Sequence, residues 1–180
     1  MSKVTIFLAN GFEEIEALTV VDLCRRAGIE ITMAAVTKDI CAGEDVCVTG
    51  SHGISVKADI ILSEVDFDSM DMLILPGGMP GTLNLENDKT VQAAIDYANE
   101  NGLLIGAICA APSVLGHKGL LNGKNATCFP GFEKDLLGAN VTGEAVVCDG
   151  NIITAKGAGV AFQFGFELLT YLKDEKTADD

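Results

Sequence analysis

The sequence predicts an α/β fold, a three-layer sandwich with a mostly parallel central sheet. Three observations carry this prediction. Short, predominantly apolar runs recur along the chain, among them Val4–Ala9, broken only by Thr5, and Met72–Leu75. Amphipathic stretches of helical period separate them. Glycines punctuate the exits. Strands apolar on both faces belong in parallel sheets covered by helices on each side.

The elements follow in order. Lys3 to Ala9 reads as a buried strand. Glu13 to Ala27 reads as a helix that places Ile15, Leu18, Val21 and Leu23 towards the core and stops at Gly28. Ile29 to Val36 is the second strand. From Asp45 to Lys57 two short alternating runs flank Gly50-Ser51-His52-Gly53, a hairpin pattern. Asp71 to Leu75 is another buried strand, ending in the loop Pro76-Gly77-Gly78-Met79-Pro80-Gly81. Asp88 to Asn101 is a helix closed by Gly102, and Leu103 to Ile108 a further strand. A helix runs from Pro112 towards Leu120. Ala145 to Ala155 holds a tight turn at Asp149-Gly150, and Gly159 to Leu172 is the last helix. Asp174 to Asp180 is a loose polar end. The alternation places the chain among flavodoxin-like sandwiches, as one domain over residues 1–180.

Bulk properties exclude several classes. The formal net charge is −14 with 12 basic residues, so a phosphate backbone is repelled and nucleic acid is not an expected partner. No apolar run approaches the ~18 residues of a membrane span. The start carries one lysine before a short apolar stretch, then Glu13, Glu14 and Glu16, so a cytoplasmic protein with no targeting segment is expected. Of the six cysteines none forms a CxxC pair, and there are only two histidines, so no metal is expected and the cysteines read as thiols, mostly small buried side chains.

One thiol stands apart. Cys109 ends an apolar strand, is flanked by Ala107 and Ala111 at −2 and +2, and precedes Pro112 in the first turn of a helix. This is a strand–turn–helix elbow, where small flanking residues let the turn close. The helix amino end should favour a thiolate and lower its pKa. If the strand before Pro76 lies beside that of Cys109, a glycine N–H of that loop and the N–H of Ala110 form an oxyanion hole. His117 lies eight residues on, ~12 Å along a helix, too far to act as base. His52 belongs to an exposed hairpin turn. The glutamates after the first strand sit at the same sheet edge, and one of Glu13, Glu14 and Glu16 can remain protonated beside the sulfur. An acidic first turn accounts for one or two of these glutamates but not for three. The spacing leaves all three open.

The motifs Ala9-Asn10-Gly11-Phe12-Glu13-Glu14-Ile15-Glu16, Asp22-Leu23-Cys24-Arg25-Arg26-Ala27-Gly28, Leu75-Pro76-Gly77-Gly78, Ala107-Ile108-Cys109-Ala110 and Thr154-Ala155-Lys156-Gly157-Ala158-Gly159 resemble the ThiJ/PfpI superfamily. Within it they are most similar to the branch of the Parkinson-disease protein deglycase and its bacterial relatives. The resemblance covers nearly the whole chain. It implies Cys109 as nucleophile and redox-sensitive thiol, Glu16 as the carboxylic acid bonded to it, and the Gly78 and Ala110 amides as the oxyanion pair. It implies a homodimer with the pocket near the interface and Arg26 reaching towards the neighbour's pocket. The pocket neighbourhood it implies also includes His52, Phe129, Gly157 and Ala158.

The chain departs from that pattern at three places. Phe129 stands where some members carry a pocket histidine, which removes a proton shuttle. His52 stands where relatives often have arginine, and Ala158 replaces a common proline. Ala110, in place of a histidine directly after the cysteine, argues against a peptidase. Two functions are expected from the resemblance. One is a cofactor-free enzyme on 2-oxoaldehydes, of glyoxalase III type, or on their protein adducts, a deglycase. The alternative is a redox sensor with stress-protective function that uses an oxidisable Cys109.

Overall fold

A computed structural model describes residues 2–36 and 46–172. Its strands are β1 (Lys3–Leu8), β2 (Glu30–Ala35), β3 (Cys47–Thr49), β4 (Ser55–Lys57), β5 (Ile60–Ile61), β6 (Met72–Leu75), β7 (Leu104–Ile108), β8 (Asn125–Ala126), β9 (Asn140–Val141), β10 (Val146–Asp149) and β11 (Ile152–Ala155). Its helices are α1 (Glu14–Arg26), α2 (Gly81–Asn87), α3 (Lys89–Glu100), α4 (Pro112–His117) and α5 (Ala161–Leu172).

Seven strands form the main sheet in the order β10-β11-β7-β6-β1-β2-β5. All neighbours pair in parallel except β10 and β11, which the Asp149-Gly150 turn joins as an antiparallel hairpin. Alternation along each strand divides the core in two. Val4, Ile6 and Leu8 pack with Val20, Leu23, Phe164 and Leu168 of α1 and α5. Phe7, Leu73 and Leu75 face Leu85, Val91, Ile95 and Val114 of α2, α3 and α4 on the other side. This is the expected mostly parallel three-layer sandwich.

Three expectations need correction. Ile15 is 56% exposed, whereas Glu14 and Glu16 are buried. The sheet, not the apolar count, decides which side of α1 is inside: Glu16, Val20 and Cys24 lie one above another at i, i+4 and i+8. Helix α2 and the small β8–β9 pair carried no periodic signal. Cys47 is disulfide-bonded, where thiols were expected; the fold can join cysteines that no CxxC spacing announces. Its partner, the expectation for Cys41 and that of a loose end at Asp174 to Asp180 lie outside the described residues. Among the described residues no helix is long and apolar enough to cross a membrane.

Candidate active site

Four strands that are neighbours in the sheet, β11, β7, β6 and β1, deliver their carboxyl-terminal loops to one place. Active sites of open α/β sheets gather at such edges. β7 contributes Cys109, β6 the Pro76–Gly78 loop, β1 the turn into α1, and β11 the Lys156–Val160 loop.

Cys109 is the only non-glycine residue with positive φ among the described residues, at 66°. That conformation costs an L-residue on the order of 1–3 kcal/mol and persists only where its surroundings enforce it. Here the Cys109 N–H donates to Ala155 O at 2.9 Å, while its carbonyl accepts from Phe129 N–H at 2.8 Å. The chain turns sharply between them and leaves the sulfur partly exposed. The backbone amides of Ala110 and Gly78 lie close enough to the sulfur to pull its pKa down.

The three glutamates have three different tasks. Glu13 caps α1, its Oε2 accepting from Glu16 N–H at 2.8 Å. Glu14 holds the β3–β4 hairpin: Oε1 accepts from His52 N–H at 2.7 Å, and Oε2 lies 2.9 Å from His52 Nδ1 and 3.3 Å from Ser51 Oγ. Burial raises the Glu14 pKa, but the hydrogen bonds from His52 and neighbouring amides outweigh it and bring it down to about 2. Glu16 is the one beside the thiol. It is 1% exposed, and its Oε2 accepts from Gly77 N–H at 2.9 Å. Its Oε1 is buried without a partner of hydrogen-bond geometry. A Cβ on Gly77 would come within 2.6 Å of both Glu16 Oε2 and Cys109 Cβ, so only glycine lets the loop pass between them.

The electrostatics correct one expectation. Burial pushes Glu16 up to about 7, Cys109 and the Gly77 and Ala158 amides pull it down, and Glu13 adds to the rise. Burial and the Glu16 carboxylate push Cys109 up to about 12 against the pull of the Ala110 and Gly78 amides. The elbow alone therefore does not depress the thiol pKa. The dominant cause is desolvation, followed by a like charge in contact, and α4 spans only six residues. The two groups titrate as a pair. A thiolate forms readily only when Glu16 holds the proton and is neutral.

The remaining residues are distributed around this pair. Gly157 faces it: a Cβ there would lie 3.9 Å from Cys109 Sγ and 3.1 Å from the Phe129 ring. Phe129 is 48% exposed at the lip of the site. Ala158 presents an N–H that a proline at this position would lack, and this amide acts on Glu16. His52 is exposed; its Nδ1 lies 2.9 Å from Glu14 Oε2 and 3.8 Å from Glu13 Oε1, and these two glutamates connect it to the site. Arg26 is not brought to Cys109. It lies about 15 Å along α1 from Glu16 and pairs with Asp22 at 2.6 Å. His117 is engaged elsewhere, 2.5 Å from Glu86 Oε1 and 3.4 Å from Asp135 Oδ1. Glu13, Glu14 and His52 are close enough to share an ion, but the hairpin contacts already account for the Glu14 and His52 atoms.

The DJ-1/PfpI family model matches residues 2–171. The chain belongs to this family. It is 37% identical over 178 residues to "Protein DJ-1 homolog B" of Arabidopsis thaliana, covering 98% of this chain and 39% of that protein. The chain thus spans about two fifths of that relative's length. It is 31% identical over 173 residues to "Deglycase PfpI" of Pyrococcus furiosus, covering 95% of this chain and 99% of that one. Among solved family structures, oxidized DJ-1 of Toxoplasma gondii superposes with a TM-score of 0.92 at 33% identity, over 99% of this chain and 95% of that one.

Proposed function

We propose that this protein is a cysteine-dependent, cofactor-free enzyme acting on reactive 2-oxoaldehydes, converting methylglyoxal and water to lactate, or on their adducts with protein amines. The observation that supports it best is the buried Glu16 carboxyl against Cys109, with two backbone amides directed at the same sulfur. The relatives named deglycases are consistent with it.

The cycle needs no external oxidant. The Cys109 sulfur adds to the aldehyde carbon, and the carbonyl π pair moves to oxygen near the Gly78 and Ala110 amides. The oxygen is protonated to a hemithioacetal. Glu16, with a pKa near neutrality, is suited to remove the proton from that carbon and return it to the neighbouring keto carbon. The aldehyde carbon becomes a thioester as the ketone becomes an alcohol. Water cleaves the thioester and restores the thiol. Aldehyde released from an early amine adduct enters the same cycle. Ala110 in place of a histidine leaves no adjacent base for peptide hydrolysis.

Methylglyoxal loss with lactate detection tests this directly. Wild type should turn over, while Cys109→Ser and Glu16→Ala should not. Retained turnover in Cys109→Ser overturns the reading.

The second reading is a redox sensor with stress-protective function, favoured by the unpartnered Glu16 Oε1 beside the sulfur. A protonated Oε1 can donate to an oxidised sulfur. Peroxide should then modify Cys109 before Cys24 or Cys128, which are buried; the reverse order overturns it. For either reading we propose a cytoplasmic homodimer. The exposed Ile15 and Ile54, at 56% and 54%, flank the Glu14–His52 contact and offer an apolar face to a second copy. A monomer at micromolar concentration by sedimentation would overturn the dimer.

A further inference from the structure

The wall beside Cys109 is apolar where proton-shuttling chemistry would call for a polar one. A cleft of about 340 Å³ opens next to the sulfur, lined by Phe129, Pro130, Ala158, Val160, the Gly157 backbone and Lys156. Its volume lies at the low end of small-molecule sites. Phe129 is held there by its backbone: its N–H donates to Cys109 O at 2.8 Å, and its carbonyl accepts from Phe132 N–H at 3.1 Å. The face of Gly157 that looks at the Phe129 ring also looks at Cys109 Sγ, with the positions a Cβ would take 3.1 Å from the ring and 3.9 Å from the sulfur. Cys109 Sγ and the ring edge therefore lie no more than about 7 Å apart across Gly157, a gap that the carbon chain of an electrophile bonded at Sγ can bridge. Lys156 does not turn the cleft into an anion site. Its amine donates to Gly143 O at 3.3 Å and acts on the nearby Glu133, and the chain carries a net charge of −14.

We infer that the Phe129 cleft is the binding site for a flat, uncharged apolar substituent on the electrophile that meets Cys109, so that an aryl-substituted 2-oxoaldehyde is taken in preference to methylglyoxal. The inference rests on the proposed enzymatic reading for its substrate class, but the cleft itself is independent of turnover. Phe129 acts as a specificity-determining wall: the half-exposed ring has a free face on which an aryl group stacks in an offset arrangement. A methyl group is too small to cover that face. Filling apolar space of this kind discriminates about 10- to 200-fold for even one methylene, so a preference of at least about tenfold is expected for an aryl over a methyl group.

Two paired measurements test this. The first compares kcat/KM for phenylglyoxal and methylglyoxal in wild type, Phe129→Ala and Phe129→Leu. The second compares Cys109 alkylation by 2-bromoacetophenone and bromoacetone, scored by mass spectrometry and normalised to glutathione. There the thiol forms the C–S bond, loses its proton, and bromide leaves without any catalytic cycle. An aryl preference of about tenfold or more in wild type, reduced in Phe129→Leu and abolished in Phe129→Ala, supports the inference. Equal preference in wild type and Phe129→Ala, or no preference in wild type, overturns it. If aryl preference is present in alkylation but neither oxoaldehyde is consumed, the enzymatic reading falls while the cleft assignment stands.

Discussion

The carboxyl of Glu16 and the thiol of Cys109 share a single buried site with one proton more than it can easily lose. Glu16 arrives on α1 and Cys109 on the turn after β7, and the Gly77 N–H donating to Glu16 Oε2 at 2.9 Å locks the carboxyl against the sulfur. Burial raises the pKa of both groups; the Glu16 carboxylate adds to the cost of ionising Cys109, whereas the neutral thiol pulls the Glu16 pKa down against that rise.

Removing the carboxylate while keeping its shape should free the thiol. In Glu16→Gln the like charge is gone, so the Cys109 pKa falls from about 12. Iodoacetamide alkylation at pH 8 should accelerate about tenfold for each unit of that fall, even as oxoaldehyde turnover is lost. The stability consequence has a definite sign. Glu16 is raised in the folded state from 4.5 to about 7. Its contribution is fully present below pH 4.5 and is lost as pH rises through about 7, by on the order of 3 kcal/mol. Urea melts at pH 5.5 and pH 8 should show wild type losing stability across that interval, with Glu16→Gln nearly flat.

Ala158 is a second control on the same proton. Its amide lowers the Glu16 pKa. Ala158→Pro removes that N–H, so the Glu16 pKa should rise and the carboxyl should hold its proton to higher pH. The midpoint of the Cys109 alkylation profile, compared with wild type, reads this out; an unchanged midpoint would show that the amide does not act on Glu16.

Glu14→Gln should act on the hairpin and not on the sulfur. The Glu14 carboxylate holds His52 N–H, His52 Nδ1 and Ser51 Oγ. Loss of its charge should cost about 1.5–3 kcal/mol, the range for hydrogen bonds to charged groups. It should also hasten proteolysis between Gly50 and Gly53. Because the folded pKa is depressed from 4.5 to about 2, this stabilisation is present above pH 4.5 and lost as pH falls towards 2. Melts of wild type and Glu14→Gln should converge in that acid range.

His117 joins α2 to the Glu133–Asp135 turn through Glu86 and Asp135. Both carboxylates raise its pKa, Glu86 more strongly. The sign is opposite to that of Glu14: the clasp is complete below pH 6.5 and weakens as pH rises through the folded value. Lys118 beside it is occupied by Asp96 at 2.8 Å and does not compete. At a partly exposed site the effect is at most about 1 kcal/mol. Thermal melts of His117→Gln should lie below wild type at pH 6 and meet it at alkaline pH.

Much of this architecture was legible before any coordinates. The predominantly apolar runs from Val4 to Leu8 and from Met72 to Leu75 announced parallel strands, and Asp149-Gly150 announced its hairpin. The elbow at Cys109 was visible because alanines and a proline have few other reasons to surround a strand-end cysteine. Helix α1 misled: Ile15 lies outside and two glutamates inside. Helical period identifies a stripe, but only the sheet it packs on selects which stripe is buried. Helix α2 was hidden by glycine, proline and asparagine, which carry weak helix signals.

The amino-acid sequence by itself determined the strand–helix alternation, the cysteine at a strand end and the presence of three acidic candidates, because these depend on local composition and spacing. The tertiary structure decided what those candidates do. Glu13, Glu14 and Glu16 are chemically alike and near neighbours in the chain, yet one caps a helix, one pins a hairpin and one shares a proton with Cys109. The thiol's pKa was decided there too: the elbow argues for lowering it, while desolvation and the Glu16 charge raise it. Burial and charge proximity are sums over neighbours that are distant in sequence, and no local pattern contains them.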